Sequence, residues 1–210
     1  MPNKKTLEAF LDELASSSPA PGGGSVAALA GALGAALTSM VCNLTIGKKK
    51  YAGVEDEMKK ILAQAEDLRA KFTVLADKDT EAFNKVMEAF SLPKDTDPQK
   101  ALRSVAIREA TKEATLVPLE VMRHCVDALA LAQQAAASGN ANSVSDAGVS
   151  SVMLRAAAEG AALNVRINLR SLDDAEFVGC KQEELESLRS TCRMMTEEVR
   201  SIVEEKLHEE

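Results

Sequence analysis

The sequence contains no tryptophan, a single tyrosine and only five phenylalanines among 210 residues. A core without large rings must be filled by Ala, Leu, Val and Met. Small side chains let helix axes approach closely, so this scarcity favours helix-on-helix packing. Histidine is also rare (His124 and His208), and the four cysteines, Cys42, Cys125, Cys180 and Cys192, form no C-x-x-C pair. A zinc site and a disulfide framework are therefore disfavoured, and the thiols read as reduced groups of a cytoplasmic protein. Basic residues are outnumbered 32 to 25, for a net charge of −7. Such a surface repels phosphate backbones and argues against nucleic-acid binding. No stretch alternates with period two between hairpin turns, which argues against a sheet. No short apolar run follows the acidic residues Glu8, Asp12 and Glu13, so no secretory signal is expected.

Hydrophobic residues make up 46% of the chain, enough for one domain spanning 1–210. Leu7, Phe10, Leu11 and Leu14 share a face and predict a short amphipathic helix. Pro19-Ala-Pro-Gly-Gly-Gly24 breaks it into a constrained loop, after which Ser25 is expected to cap a long helix reaching about Gly47. Val26–Ile46 carries no charge and is long enough to span a bilayer. It is rich in Ala and Gly and holds Thr38, Ser39, Asn43 and Thr45, so the expectation is a fully buried core helix and no membrane span. Two of its faces are smooth, one with Ala27, Gly31, Ala35 and Ser39, the other with Ala28, Ala32, Ala36 and Met40. Each suits a close neighbour, from the same chain or from a second subunit.

Further helices are expected from about Val54 to Phe90 and from an Asp97-Pro98 start to about Ser138, bent near Pro118 and stopped by Gly139. After the polar turn Asn140–Asp146, two more run from about Ser145 to Leu172 and from Gly179 to Leu207. The architecture is all-α, a bundle of five to six long helices.

Several residue groups can carry chemistry, each with a plainer alternative. The Pro19–Ser25 loop feeds a helix N-terminus, where N–H groups and the dipole favour an anion. It matches neither a Walker nor a Rossmann fingerprint, and a tight helix entry is the plainer explanation. Lys48–Lys50 beside Tyr51 form a cationic rim, or simply complement a helix C-terminus. Asp79 shares a face with Phe83 and either edges an apolar pocket or lies on a solvated face. Asp146 is a helix-start carboxylate, for capping or for a site. Asn164 and Asn168, four apart on an apolar helix, need partners in each other, in backbone or in a ligand.

The run P-A-P-G-G-G-S-V-A-A-L-A-G-A-L-G-A-A-L-T-S-M-V-C-N-L-T-I-G-K-K-K-Y (Pro19–Tyr51) resembles the signature opening of the formiminotetrahydrofolate cyclodeaminase / methenyltetrahydrofolate cyclohydrolase family. Asp79-Thr-Glu-Ala-Phe83, Gly139-Asn-Ala-Asn-Ser-Val-Ser-Asp146 and Asn164-Val-Arg-Ile-Asn-Leu169 agree with it in kind and order, and the likeness covers roughly residues 5–200. It implies an all-α homodimer with a folate site near the subunit interface, no metal, and no cofactor beyond the tetrahydrofolate substrate. It implies the stand-alone form, without a formiminotransferase domain. Of two implied reactions, hydrolysis of 5,10-methenyltetrahydrofolate to 10-formyltetrahydrofolate ranks first. Closure of 5-formiminotetrahydrofolate with release of ammonia ranks second. A non-catalytic helical module, docking through its charged last helix, is the alternative of another class.

On this resemblance Asp79 and Asp146 are the leading carboxylates, for acid–base work and pterin recognition. Lys48 and Lys49 serve the glutamate tail or proton transfer. Gly22, Gly23, Gly24 and Ser25 form a pocket wall, and Tyr51, Asn140, Asn142, Asn164 and Asn168 complete the substrate-binding set.

Overall fold

Thr6 accepts the Ala9 N–H at 3.2 Å and so opens α1, Leu7–Leu14, the first helix of a computed structural model that describes residues 6–208. Helices α2 (Gly23–Asn43), α3 (Glu55–Ser91), α4 (Asp97–Ser138), α5 (Val144–Arg170) and α6 (Ala175–His208) follow, with 3₁₀ turns at Lys49–Val54 and Ala141–Ser143. No strand occurs among the described residues. The expected all-α bundle is therefore the fold.

Helix α2 lies at its centre and runs antiparallel to α5. Its N-terminal Gly23 neighbours Asn164, while Thr38 bonds Ser150 at 2.9 Å nearer the start of α5. Its small residues are notches for large neighbours. A β-carbon on Gly31 would stand 2.5 Å from the Phe72 ring of α3, and one on Gly34 would stand 2.6 Å from Leu154 Cγ of α5. Glycine thus lets two flanking helices seat a buried knob against α2. Phe72, Met58, Ile61 and Leu75 of α3 join Leu119, Met122 and Leu129 of α4, Leu154 of α5 and Leu185 of α6 in one core.

Helices α3 and α4 form a long hairpin, tied by Lys85–Glu113 at 3.1 Å and by Arg103, which donates to the Phe90 carbonyl. Helix α6 covers α4 and α5 through Gln133–Glu198, Arg155–Glu197 and Arg189–Glu159. Such exposed pairs fix alignment more than they add stability.

Several expectations are corrected. The N-cap of α2 is Gly22, which offers no side-chain bond, and Ser25 sits inside the helix. The helix ends at Asn43 rather than Gly47, because the chain turns there and reaches φ +79° at Gly47. Thr96, not Asp97, caps α4, in a reciprocal box with Gln99. Gly139 closes α4 in an extended conformation. A β-carbon there would stand 2.4 Å from the Ala135 carbonyl and 2.8 Å from Val41 Cγ1, so space rather than handedness demands glycine. Helix α6 starts four residues before Gly179, because Asp174 Oδ1 accepts the Phe177 N–H at 3.1 Å.

The largest correction concerns α2 itself. It is long and apolar enough to cross a membrane, yet only 56% of its most apolar stretch is buried, so it is not the fully buried helix expected. One side faces the core. On the other, Val26, Leu33, Met40 and Leu44 are 39%, 57%, 44% and 38% exposed, with Ala30 and Leu37 half-buried between them. Val149, Val152, Leu163 and Ile167 of α5, the helix packed beside α2, are exposed as well.

Candidate functional site

The N-terminal end of α2 meets Asp79 of α3. The carboxylate lies so close over the helix entry that a β-carbon on Gly24 would stand 2.0 Å from Oδ1. Gly24 is glycine because Asp79 occupies that space. Ser25 is buried, and its Oγ lies 3.0 Å from Asp79 Oδ2, 3.0 Å from the Ala76 carbonyl and 3.2 Å from Thr80 Oγ1. A hydroxyl has one proton and two lone pairs. It donates to Asp79 when the acid is ionised, and can accept from it while donating to Ala76 when the acid is protonated. Burial pushes the Asp79 carboxyl above its ordinary value, and the Ser25 hydroxyl and backbone N–H pull the other way. The result is a half-buried acid at the positive end of a helix, held with both protonation states hydrogen-bonded. Thr80 belongs to this cluster and sequence reading passed it over. Its only signal was adjacency to Asp79.

Asn164 shares this end. Its Nδ2 donates to the Gly160 carbonyl at 2.9 Å, and a β-carbon on Gly23 would touch its amide. Gly22 and exposed Gly23 lead into the cluster. Asn168 lies a turn further on, and its Nδ2 donates to the Ala114 carbonyl of α4 at 3.0 Å. The reason lies in sequence: Pro118, four residues after Ala114, has no N–H to give that carbonyl. Asn168 thus repairs a helix, and the structure gives that N–H a structural partner in place of a ligand.

The remaining candidates gather at the other end of α2. Asn140 is buried; its backbone N–H donates to Thr45 Oγ1 at 2.8 Å and its Nδ2 to the Leu44 carbonyl at 3.1 Å. The Ala141 N–H donates to the Tyr51 hydroxyl at 3.0 Å. That bond, with Lys50 and Lys48 nearby, draws the Tyr51 pKa below its ordinary value. Lys50 Nζ lies 5.5 Å from the Tyr51 ring centre. Lys48 and Lys49 are exposed, as is Asn142, whose backbone N–H donates to Asn140 Oδ1. The lysines lie at the start of the Lys49–Val54 turn and not in the last turn of α2. Asp146 is half-buried in the first turn of α5. Thr45, another hydroxyl that sequence reading missed, ties this end together.

The candidates therefore form two groups and not one. Helix α2 has 21 residues, about 30 Å at 1.5 Å per residue. Asp79, Ser25, Gly22–Gly24 and Asn164 stand at one end; Lys48, Lys49, Tyr51, Asn140, Asn142 and Asp146 stand at the other. Asp79 and Asp146 do not meet within the chain. Two clefts of about 400 and 210 Å³ lie elsewhere, one beside Lys100, Arg103 and Arg108, the other beside Lys71 and Val74, and neither is lined by a candidate residue. Among the described residues, no group of three or more His, Cys, Asp or Glu is arranged to hold a metal.

Comparison with known proteins supplies the context. Residues 6–187 match the family model described as formiminotransferase-cyclodeaminase. The chain is 48% identical over 208 residues to a methenyltetrahydrofolate cyclohydrolase of Methylorubrum extorquens, covering 99% of this chain and all of that one. It is 36% identical to the formimidoyltransferase-cyclodeaminase of Sus scrofa, covering 88% of this chain but 34% of that longer protein. The crystal structure of formiminotetrahydrofolate cyclodeaminase from Thermotoga maritima superposes with a TM-score of 0.87 at 34% identity, covering 97% of this chain and 98% of that one. The chain belongs to the formiminotransferase-cyclodeaminase family.

Proposed function

We propose that the protein hydrolyses 5,10-methenyltetrahydrofolate to 10-formyltetrahydrofolate, acting as a homodimer in the cytoplasm. The observation that carries this reading is the end-to-end 48% identity with the Methylorubrum extorquens cyclohydrolase. The four cysteines are unpaired, which suits a reducing compartment. The apolar outer face of α2 and α5 suits a second copy.

The chemistry requires water to add to the cationic carbon bridging N5 and N10. A C–O bond forms as one proton leaves the water; the C–N5 bond then breaks as N5 takes a proton, and the hydroxyl releases its own proton to solvent as the formyl carbonyl forms on N10. Asp79 fits both needs. Ionised, it stabilises the amidinium and accepts the proton of the attacking water; protonated, it returns that proton to N5. Its hydrogen bonds to Ser25 hold one geometry through both states. Lys48 and Lys49 neutralise the substrate's carboxylate tail, while Tyr51 and Asp146 serve proton transfer and pterin recognition. The reaction consumes only substrate and water.

A second reading, ring closure of the formimino compound with loss of ammonia, is favoured by the likeness to the Thermotoga maritima cyclodeaminase. Purified protein added to methenyltetrahydrofolate should abolish its absorbance. Appearance of that absorbance from 5-formiminotetrahydrofolate would establish the second reading instead, and silence in both assays overturns both.

A further inference from the structure

Ser25 Oγ carries one proton and has two acceptors at the same distance. Asp79 Oδ2 and the Ala76 carbonyl both lie 3.0 Å away. Where that proton rests decides which form of the acid is favoured. A third atom bears on the choice. Thr80 Oγ1 lies 3.2 Å from Ser25 Oγ, and among the described residues Ser25 is the one partner of the Thr80 hydroxyl. Thr80 stands half-buried beside Asp79 on α3, whereas Ser25 is buried on α2. The charged groups on the surrounding helices are spent elsewhere or face solvent. Helix α2 has none between Gly23 and Asn43. On α5, Glu159 pairs with Arg189 and Arg166 is exposed. On α4, Glu113 pairs with Lys85, and Glu120 lies beside Lys71 and Lys78. On α3, Asp77, Lys78 and Glu81 are exposed. Burial and the two Ser25 contacts are what set the acidity of Asp79.

The Ala76 carbonyl accepts the Thr80 N–H within the helix, so it has a partner without Ser25. An ionised Asp79 gains more from the Ser25 proton, because a hydrogen bond to a charged acceptor is about twice as strong as a neutral one. If Thr80 donates to Ser25, a chain runs from Thr80 through Ser25 to Asp79 and each bond polarises the next. If Thr80 accepts from Ser25 instead, the proton is drawn off the acid. Asp79 Oδ2 then faces an oxygen at 3.0 Å that offers it no hydrogen. The first order is the one that suits an ionised acid. We propose that Thr80 is a positioning residue of the reaction: its hydroxyl donates to Ser25 and so holds the Ser25 proton on Asp79 Oδ2 while the acid is ionised to receive the proton of the attacking water. The part played by Asp79 in the reaction rests on the folate-enzyme reading; the order of the hydrogen bonds does not.

Carboxyl NMR on protein labelled with carbon-13 at aspartate tests that order without substrate. The Asp79 signal is assigned by its loss in Asp79→Asn. Thr80→Val removes the hydroxyl and keeps the shape, and it should raise the Asp79 titration midpoint by about half a pH unit. Thr80→Ser keeps a donor and should hold the wild-type midpoint. In a Ser25→Ala background Thr80→Val should move the midpoint by less than about 0.1 unit, because Thr80 acts only through Ser25. An unchanged or lowered midpoint in Thr80→Val would overturn the proposal, as would an equal rise in both backgrounds. A Thr80→Ser midpoint as high as that of Thr80→Val would assign the effect to packing and overturn it too.

Turnover tests the same chain of hydroxyls in the reaction. The acid limb of the kcat/KM profile for methenyltetrahydrofolate reports the free enzyme. It should move to higher pH in Thr80→Val by the amount seen in the NMR midpoint, and stay in place in Thr80→Ser. Well above that limb, kcat and KM should each remain within about twofold of wild type. A residue that only supports the fold would change those plateau values and leave the limb where it was. A raised NMR midpoint with an unmoved acid limb would overturn the positioning role. The expected NMR shifts without activity in either folate assay would overturn the folate reading and leave the hydrogen-bond order standing. Activity with an unmoved NMR midpoint would do the reverse.

Discussion

At Gly24 the absence of a side chain is the feature that brings a carboxylate onto a helix N-terminus. Alanine there would place its methyl 2.0 Å from Asp79 Oδ1, so either the acid rotates away or the helices part. Overpacking of this kind costs about 2 kcal/mol. We expect Gly24→Ala to lower the urea midpoint accordingly and to reduce turnover at least tenfold, since the displaced acid also loses its Ser25 partner. Asp79→Asn separates charge from shape. The amide oxygen still accepts from Ser25, so folding should change by less than about 1 kcal/mol while turnover falls about 100-fold or more. Because burial raises the Asp79 pKa above its unfolded value, the fold favours the neutral acid. That contribution is fully present below the unfolded pKa and is lost as pH rises through the folded pKa. The stability of Asp79→Asn relative to wild type should therefore grow with pH across that window, as followed by urea midpoints. The acid limb of the wild-type rate profile should lie above the ordinary aspartate range and vanish in the variant. A limb at the ordinary aspartate value would remove Asp79 from the base role.

At the scale of helices, α4 survives an internal proline because α5 lends it a donor. Pro118 deprives the Ala114 carbonyl of its helical N–H, and Asn168 replaces it from across the interface. Asn168→Ala should cost about 1–2 kcal/mol by leaving a carbonyl unpaired. Pro118→Ala restores the N–H, so the same Asn168 substitution should then cost less than about 0.5 kcal/mol. Equal costs in the two backgrounds, measured as a double-mutant cycle, would show that the bond is incidental. This pairing also marks how far sequence could be read. Helices α3 and α4 were legible within a residue or two because the Asp97-Pro98 start and the Gly139 stop are local signals. The Asn164 and Asn168 spacing showed that amides needed partners, but not that a proline 50 residues earlier had vacated one. The Ser25 hydroxyl likewise suggested a cap of its own helix, while its partners lie 51 and 54 residues away in α3. Contacts set by tertiary approach leave no periodic trace. Resemblance could name the candidate residues, yet no local pattern revealed that they lie at two ends of one helix.

At the scale of the molecule, α2 has two apolar sides and a single chain covers one of them. A sequence in which both sides are Ala, Leu, Val and Met cannot distinguish a helix enclosed by its own fold from one shared between two copies, and that ambiguity produced the expectation of full burial. Leu33→Glu separates the cases. Leu33 is 57% exposed in the chain, and glutamate matches leucine closely in helix propensity. On a monomer's surface the substitution should change stability by less than about 0.5 kcal/mol and leave activity intact. On a face covered by a second copy it places an unpaired charge in an apolar contact, which the assembly cannot absorb. We expect Leu33→Glu to run as a monomer on analytical ultracentrifugation and to lose turnover. Its melting temperature should not rise with protein concentration, whereas that of the wild type should rise by mass action if this face joins the proposed homodimer. Wild-type mass, concentration dependence and turnover in Leu33→Glu would mean that this face is ordinary surface, and would move the proposed assembly elsewhere on the molecule.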